Sequence, residues 1–110
     1  MSDLQWDRAF ALEQTAGDEE LLEELLTLFK DSSAGDYEKL CQAALSGDAE
    51  GVMAAAHSLK GAAASLGIEG IRVLALEMET AARQGSVDCA VKKKDEMAAL
   101  LAQIKTLEQQ

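Results

Sequence analysis

The sequence predicts an all-α protein: an up-down antiparallel four-helix bundle with a short additional N-terminal helix. Three observations carry that expectation. The 110 residues hold no proline, so no element is interrupted by a missing main-chain donor. The 48 % hydrophobic content is dominated by Ala and Leu, with only four aromatic residues, a balance that favours helices over β-sandwiches. Between turn signals at Gly17-Asp18, Ser46-Gly47-Asp48, Gly67 and Gly85-Ser86, apolar residues recur at spacings of three and four. The length suits one hydrophobic core, and residues 1–110 are read as one domain.

Each element follows from its own signals. A first helix over about Asp3–Gln14 would turn Trp6 and Phe10 inward. Asp18 offers an N-cap, with Glu19 and Glu20 favourably placed in the first turn. From there Leu22, Leu26, Phe29, Ser33, Tyr37, Leu40 and Ala44 keep one phase, which predicts a long helix to about Leu45 despite Gly35. Asp48 caps a third helix to Leu66, closed by Gly67 in the position of a left-handed cap. A fourth helix, about Glu69–Gln84, places Ile71, Leu74, Ala75, Met78 and Ala82 inward. A fifth, about Asp88–Leu107, does the same with Met97, Leu100, Leu101, Ile104 and Leu107. The short connections make successive helices antiparallel neighbours.

Composition excludes several classes of function. The formal net charge of −10 disfavours nucleic acid as the main partner, because phosphate contacts need Lys and Arg. The charge is uneven: residues 1–55 hold 13 acids against 3 bases, whereas residues 56–110 hold 7 of each. Apolar runs fall far short of the roughly 20 residues that span a bilayer, and the N-terminus lacks the basic and apolar blocks of a signal peptide. A soluble cytoplasmic protein without membrane contact is expected. Cys41 and Cys89 stand 48 positions apart with no Cys-x-x-Cys spacing, so they read as ordinary, mostly buried residues in a reducing compartment. One histidine, His57, excludes metal sites built from clustered imidazoles.

The placement of that histidine is informative. Val52, Ala56, Leu59, Ala63 and Leu66 form the core stripe of the third helix. His57 lies about 140° from its centre at about 100° per residue. The outer face around it should be dense with charge, yet Met53, Ala54, Lys60, Gly61 and Ala64 occupy it. A mid-helix glycine costs about 1 kcal/mol relative to alanine. Gly61, at i+4 from His57 and turned from the core, leaves the ring uncrowded for a protein to approach. Lys60, at i+3, is placed to neutralise an anion held at the ring.

With no second His, Cys or carboxylate at ligand spacing on this helix, a metal or haem ligand is unsupported. Ser58 is adjacent in sequence and so faces elsewhere, which disfavours a nucleophile–base pair. An exposed imidazole reachable by another protein suits covalent phosphoryl transfer, with a ring nitrogen as nucleophile. The chain has no phosphate-binding Gly-x-x-x-x-Gly-Lys-Ser/Thr loop, so the phosphoryl group must come from, and go to, other proteins.

The stretch Ala56-His57-Ser58-Leu59-Lys60-Gly61-Ala62-Ala63-Ala64-Ser65-Leu66-Gly67 resembles the signature of histidine-containing phosphotransfer (HPt) domains. Its pattern is His-x-Leu-Lys-Gly with a further Gly six residues on. Leu74–Gly85 is similar to the family's next helix, and the likeness extends over essentially the whole chain. The resemblance implies that His57 is phosphorylated on Nε2, that Lys60 lies near the phosphoryl group and that Gly61 gives a receiver domain access. It also implies that Glu79, 22 positions beyond His57, accepts a hydrogen bond from Nδ1–H. Such a bond would fix the tautomer and leave Nε2 with its lone pair outward. The local alternative for Glu79 is an i,i+4 pair with Arg83.

By the same resemblance, the partners are receiver domains of a hybrid sensor kinase and of a response regulator. Each would bring its own Mg²⁺ in an acidic pocket, with no cofactor in this chain. Lys60, Arg72 and Arg83 would face that pocket, and Met53, Ala54 and Ala64 would complete the docking surface. Unlike the dimerisation helix of a histidine kinase, the chain has no acid directly after His57 and no proline. It is expected to carry phosphate as a monomer without ATP-dependent kinase activity. The rival reading is a non-catalytic helical module that sequesters a receiver or another partner.

Overall fold

The structure, a computed structural model, describes residues 3–107, apart from the side chains at 105 and 106. Its elements among the described residues are helices: α1 (Arg8–Gln14), α2 (Glu19–Leu45), α3 (Ala49–Ser65), α4 (Glu69–Arg83), α5 (Asp88–Ala102) and α6 (Ile104–Leu107). Helices α2 to α5 close a four-membered ring, α3 packing on α2 and α4, and α5 on both α2 and α4. Helix α2 is unbroken through Gly35, and its 27 residues, at about 1.5 Å each, set the 42 Å long axis of the molecule. No helix among the described residues is long and apolar enough to cross a membrane.

Local chemistry sets the helix starts. The Asp18 carboxylate accepts from the Leu21 amide at 3.0 Å, and the Asp48 carboxylate from the Gly51 amide at 3.0 Å. Each cap satisfies an amide that would otherwise lack a helical partner, worth about 1 kcal/mol. The expected core stripes of α3 and α4 are buried in full, and on α2 the stripe is buried except at Tyr37. Tyr37 is half-buried because its hydroxyl donates to the Lys94 carbonyl at 3.0 Å, tying α2 to α5.

The two ends of the chain differ from expectation. Helix α1 begins at Arg8, not Asp3, because residues before it run as an extended strap across the α3–α4 turn. The Asp7 amide donates to the Gly67 carbonyl at 2.9 Å, and the Gly70 amide to the Leu4 carbonyl at 2.7 Å. Main-chain pairing with the turn thus replaces the intrahelical bonds that a longer α1 would make. Trp6 sits half-buried on this strap, its indole donating to the Leu66 carbonyl at 3.0 Å. Phe10 remains 36 % exposed instead of turning inward. At the other end α5 stops at Ala102, and a break at Gln103 starts α6. Ile104 is still buried there, but Leu101 and Leu107 are half-buried.

The strap needs two glycines. Gly67 has a φ of +70° and closes α3, while Gly70 lies beneath the strap. A methyl group on Gly70 would collide with the main-chain oxygens of Asp3 and Leu4, the latter at 2.8 Å. Gly70→Ala should therefore lift the strap and cost about 1–3 kcal/mol, as overpacking does. Urea unfolding should show the loss, and Trp6 fluorescence should shift to the red. An unchanged emission spectrum would mean that the strap does not hold the turn.

Candidate functional site

The site lies where the outer flank of α3 meets α4. Val52, Ala56, Leu59 and Ala63 anchor α3 in the core, which sends the His57 side chain out with 68 % of its surface exposed. On α4, Ile71, Leu74, Ala75, Met78 and Ala82 face the core. Glu79, one residue past Met78, points along the flank towards α3. Its side chain is only 3 % exposed.

That carboxylate gathers three donors. His57 Nδ1 lies 2.8 Å from Oε2, Lys60 Nζ 2.5 Å from Oε1, and Arg83 Nη2 3.3 Å from Oε2. The Lys60 ammonium, first among the causes, holds the Glu79 carboxyl below its ordinary range against burial, which pushes it up, and the His57 bond adds to the lowering. An ionised carboxylate only accepts hydrogen bonds, so Nδ1 must carry the proton of that contact. In the neutral ring Nε2 is then the bare acceptor, on the exposed side. The orienting contact and the local Arg83 pair coexist on one oxygen.

The surroundings of the ring are open. Nothing lies within 4 Å of a methyl group placed on Gly61, so this glycine is not required by packing within the chain. Ala54 is exposed on the side of α2, where it lines a groove with Asp36 and Ser58, while Met53 and Ala64 are half-buried. Ser58 turns to the other flank, where its hydroxyl donates to Asp36 Oδ2 on α2 at 2.7 Å. The structure thus gives Ser58 a partner away from the imidazole.

The expected docking cations are more engaged than the sequence suggested. Arg72 makes a two-pronged pair with Glu69 at 2.9 and 2.8 Å, while Lys60 and Arg83 both rest on Glu79. None of the three is a free charge awaiting an acidic partner. Beyond α2, Leu25, Leu28, Ala62 and Leu66 line an apolar groove beside α3, with Leu28 63 % exposed. The sequence reading missed this groove, although Leu25 and Leu28 lie just off the α2 core stripe.

The other reactive groups are quiet. Cys41 and Cys89 are free and half-buried, and burial pushes the Cys89 thiol up. No cluster of three His, Cys, Asp or Glu suited to a metal occurs among the described residues.

The lowered Glu79 carboxyl has a pH consequence. A carboxyl held lower in the folded than in the unfolded state stabilises the fold above the ordinary value of 4.5 and loses that contribution as pH falls through the folded-state value. The stability of the parent relative to Glu79→Gln should therefore decline between neutral pH and the acid side of that value. Paired urea titrations across this range measure it; a flat difference would show that the carboxylate is not held by its cations.

Comparison with known proteins agrees with this geometry. The chain matches no curated protein. Two solved structures are similar to it. Histidine-containing phosphotransfer protein B (HptB) from Pseudomonas aeruginosa PAO1 is 26 % identical, with a TM-score of 0.82 over 98 % of this chain and 94 % of that one. The HPT domain of an Hpt sensor hybrid histidine kinase from Shewanella is 25 % identical, with a TM-score of 0.77 over 96 % and 95 %. The sequence model of the Hpt domain matches residues 24–107. The chain belongs to the Hpt domain family and has a histidine phosphotransfer role in two-component phosphorelays.

Proposed function

We propose that His57 is the phosphoryl carrier, moving the group between the aspartates of two receiver domains, one in a hybrid sensor kinase and one in a response regulator. The observation that carries this reading is the Glu79 carboxylate, buried against Nδ1 of a ring whose side chain is otherwise largely exposed. The Nε2 lone pair attacks the phosphorus of a receiver's aspartyl phosphate. As the N–P bond forms, the P–O bond to that aspartate breaks and its electron pair returns to the carboxylate. Glu79 keeps the Nδ1 proton in place and compensates the positive charge that develops on the ring. The second receiver takes the phosphoryl group by the reverse sequence.

Docking is assigned to Met53, Ala54, Gly61 and Ala64 around the ring, with Lys60, Arg72 and Arg83 at the α4 edge. The apolar groove with Leu28 continues this surface on the α2 side. In this reading residues 1–110 act as one unit, a cytoplasmic monomer that needs no cofactor, since Mg²⁺ and the acidic pocket belong to the receivers. It carries phosphate but does not take it from ATP. The intact His57, Lys60 and Gly61 favour transfer over simple sequestration of a receiver.

Transfer from a pre-phosphorylated receiver domain tests the proposal. Label should appear on this chain as an acid-labile, alkali-stable phosphoramidate, and His57→Gln should abolish it. No transfer from a broad set of receivers would overturn the relay reading. Gly61 offers a second test, because its mid-helix position leaves room for a side chain. Gly61→Ala should gain about 0.5–1 kcal/mol of stability. Gly61→Gln should stay folded yet slow transfer at least about tenfold, about 1.4 kcal/mol of barrier. An unchanged rate would show that the cleared face is not where the partner sits.

A further inference from the structure

Glu79 holds more donors than an orienting residue for His57 requires. Oε1 is taken by Lys60, while Oε2 is divided between His57 and Arg83. The two cations differ in how they are held. Lys60 is 27 % exposed and sits close, at 2.5 Å; Arg83 is 66 % exposed and sits at 3.3 Å. Lys60 is three residues from His57, on the same side of α3, with a flexible stem and three rotatable donors. Arg83 is four residues from Glu79 on α4, and its planar fork matches both oxygens of a carboxylate.

A phosphoryl group on Nε2 changes the competition for Lys60. Its oxygens carry close to two negative charges against one on Glu79, and they stand in solvent where an ammonium stays hydrated. The Lys60 ammonium now rests on Oε1, and turning it towards the phosphoryl oxygens draws it away from that contact. If it leaves Oε1, a carboxylate that is 3 % exposed loses its closest counter-ion, and a buried charge without compensation is strongly unfavourable. Arg83 is already in contact with the other oxygen and has solvent-exposed length to move inward.

We propose that Arg83 is a positioning residue that takes over the Glu79 carboxylate when Lys60 turns to the phosphoryl group on His57. The exchange keeps Glu79 on Nδ1 in both states of the ring, and it frees Lys60 without orphaning a buried charge. Arg83 acts through Glu79 and not on the phosphoryl group. This rests on the assignment of His57 as the carrier.

The test loads His57 chemically with phosphoramidate, so that no protein donor is involved. The Nε2 lone pair forms the N–P bond as the P–N bond of the reagent breaks, and the reagent's nitrogen leaves as ammonia. Loading is followed by ³¹P NMR on the parent, Arg83→Gln, Glu79→Gln and the double variant. Urea midpoints are then recorded for each protein with and without phosphate, together with the ¹⁵N resonance of the Lys60 side chain.

In the parent, loading should shift the Lys60 resonance. Arg83→Gln should reduce the folding equilibrium constant of the loaded form about tenfold, the scale of an unsatisfied buried group. In the unloaded form the loss should stay under about twofold, as for an exposed ion pair. In the Glu79→Gln background Arg83→Gln should cost under about twofold in both forms. An equal loss in both forms of the parent would reduce Arg83 to a surface pair and overturn the proposal. So would a loss that persists without the Glu79 charge, which would place Arg83 on the phosphoryl group itself, or a Lys60 resonance that does not move. Failure of receivers to transfer phosphate, with these results intact, would overturn the relay assignment alone.

Discussion

The site depends on one buried carboxylate. Glu79 is enclosed at the α3–α4 seam, and the properties of His57 on which the proposed transfer rests pass through it: ring orientation and proton position. Burying a charge is costly unless it is paired and hydrogen-bonded. Here the cost is met by donors from both helices, two from α3 and one from α4 itself. The same bonds therefore lock α3 against α4 and set the imidazole. Stability and chemistry at this seam are not separable quantities.

The rest of the fold supports that seam. Three of the buried residues of α3 are the alanines Ala55, Ala56 and Ala63, so α3 packs closely on both neighbours and its outer flanks come within their reach. On one flank Ser58 bonds to Asp36 of α2; on the other, His57 and Lys60 bond to Glu79 of α4. Helix α3 is thus clasped from both sides at the level of His57, and its rotation about its own axis is opposed at that level. Gly61, one turn on, is left clear of these clasps.

Much of this was legible in the sequence, for a specific reason. Helices α2, α3 and α4 bury a stripe against a closed core, so spacing alone assigns Leu22, Leu40, Leu59 and Met78 inward and His57 outward. The chain ends were harder, because their structure is set by long-range partners. Nothing local marks residues 3–7 as a strap, since its hydrogen bonds are to Gly67 and Gly70, about 60 positions away. Within the site, the His57–Glu79 contact came from family resemblance, whereas its sharing with Lys60 and Arg83 depends on how deeply Glu79 is set. Side-chain depth at a helix–helix seam has no signature in spacing. The engagement of Arg72 with Glu69, which removes a free cation from the docking face, follows an i,i+3 spacing that was open to view.

The extended strap bears on how partners meet the protein. The strap pins the one connection between the two helices that carry His57 and Glu79, so the turn that joins them is held before any encounter. A surface already fixed in this way loses little conformational entropy on association. A pinned turn at the foot of the site thus lowers the ordering cost of each encounter and returns the same face after it.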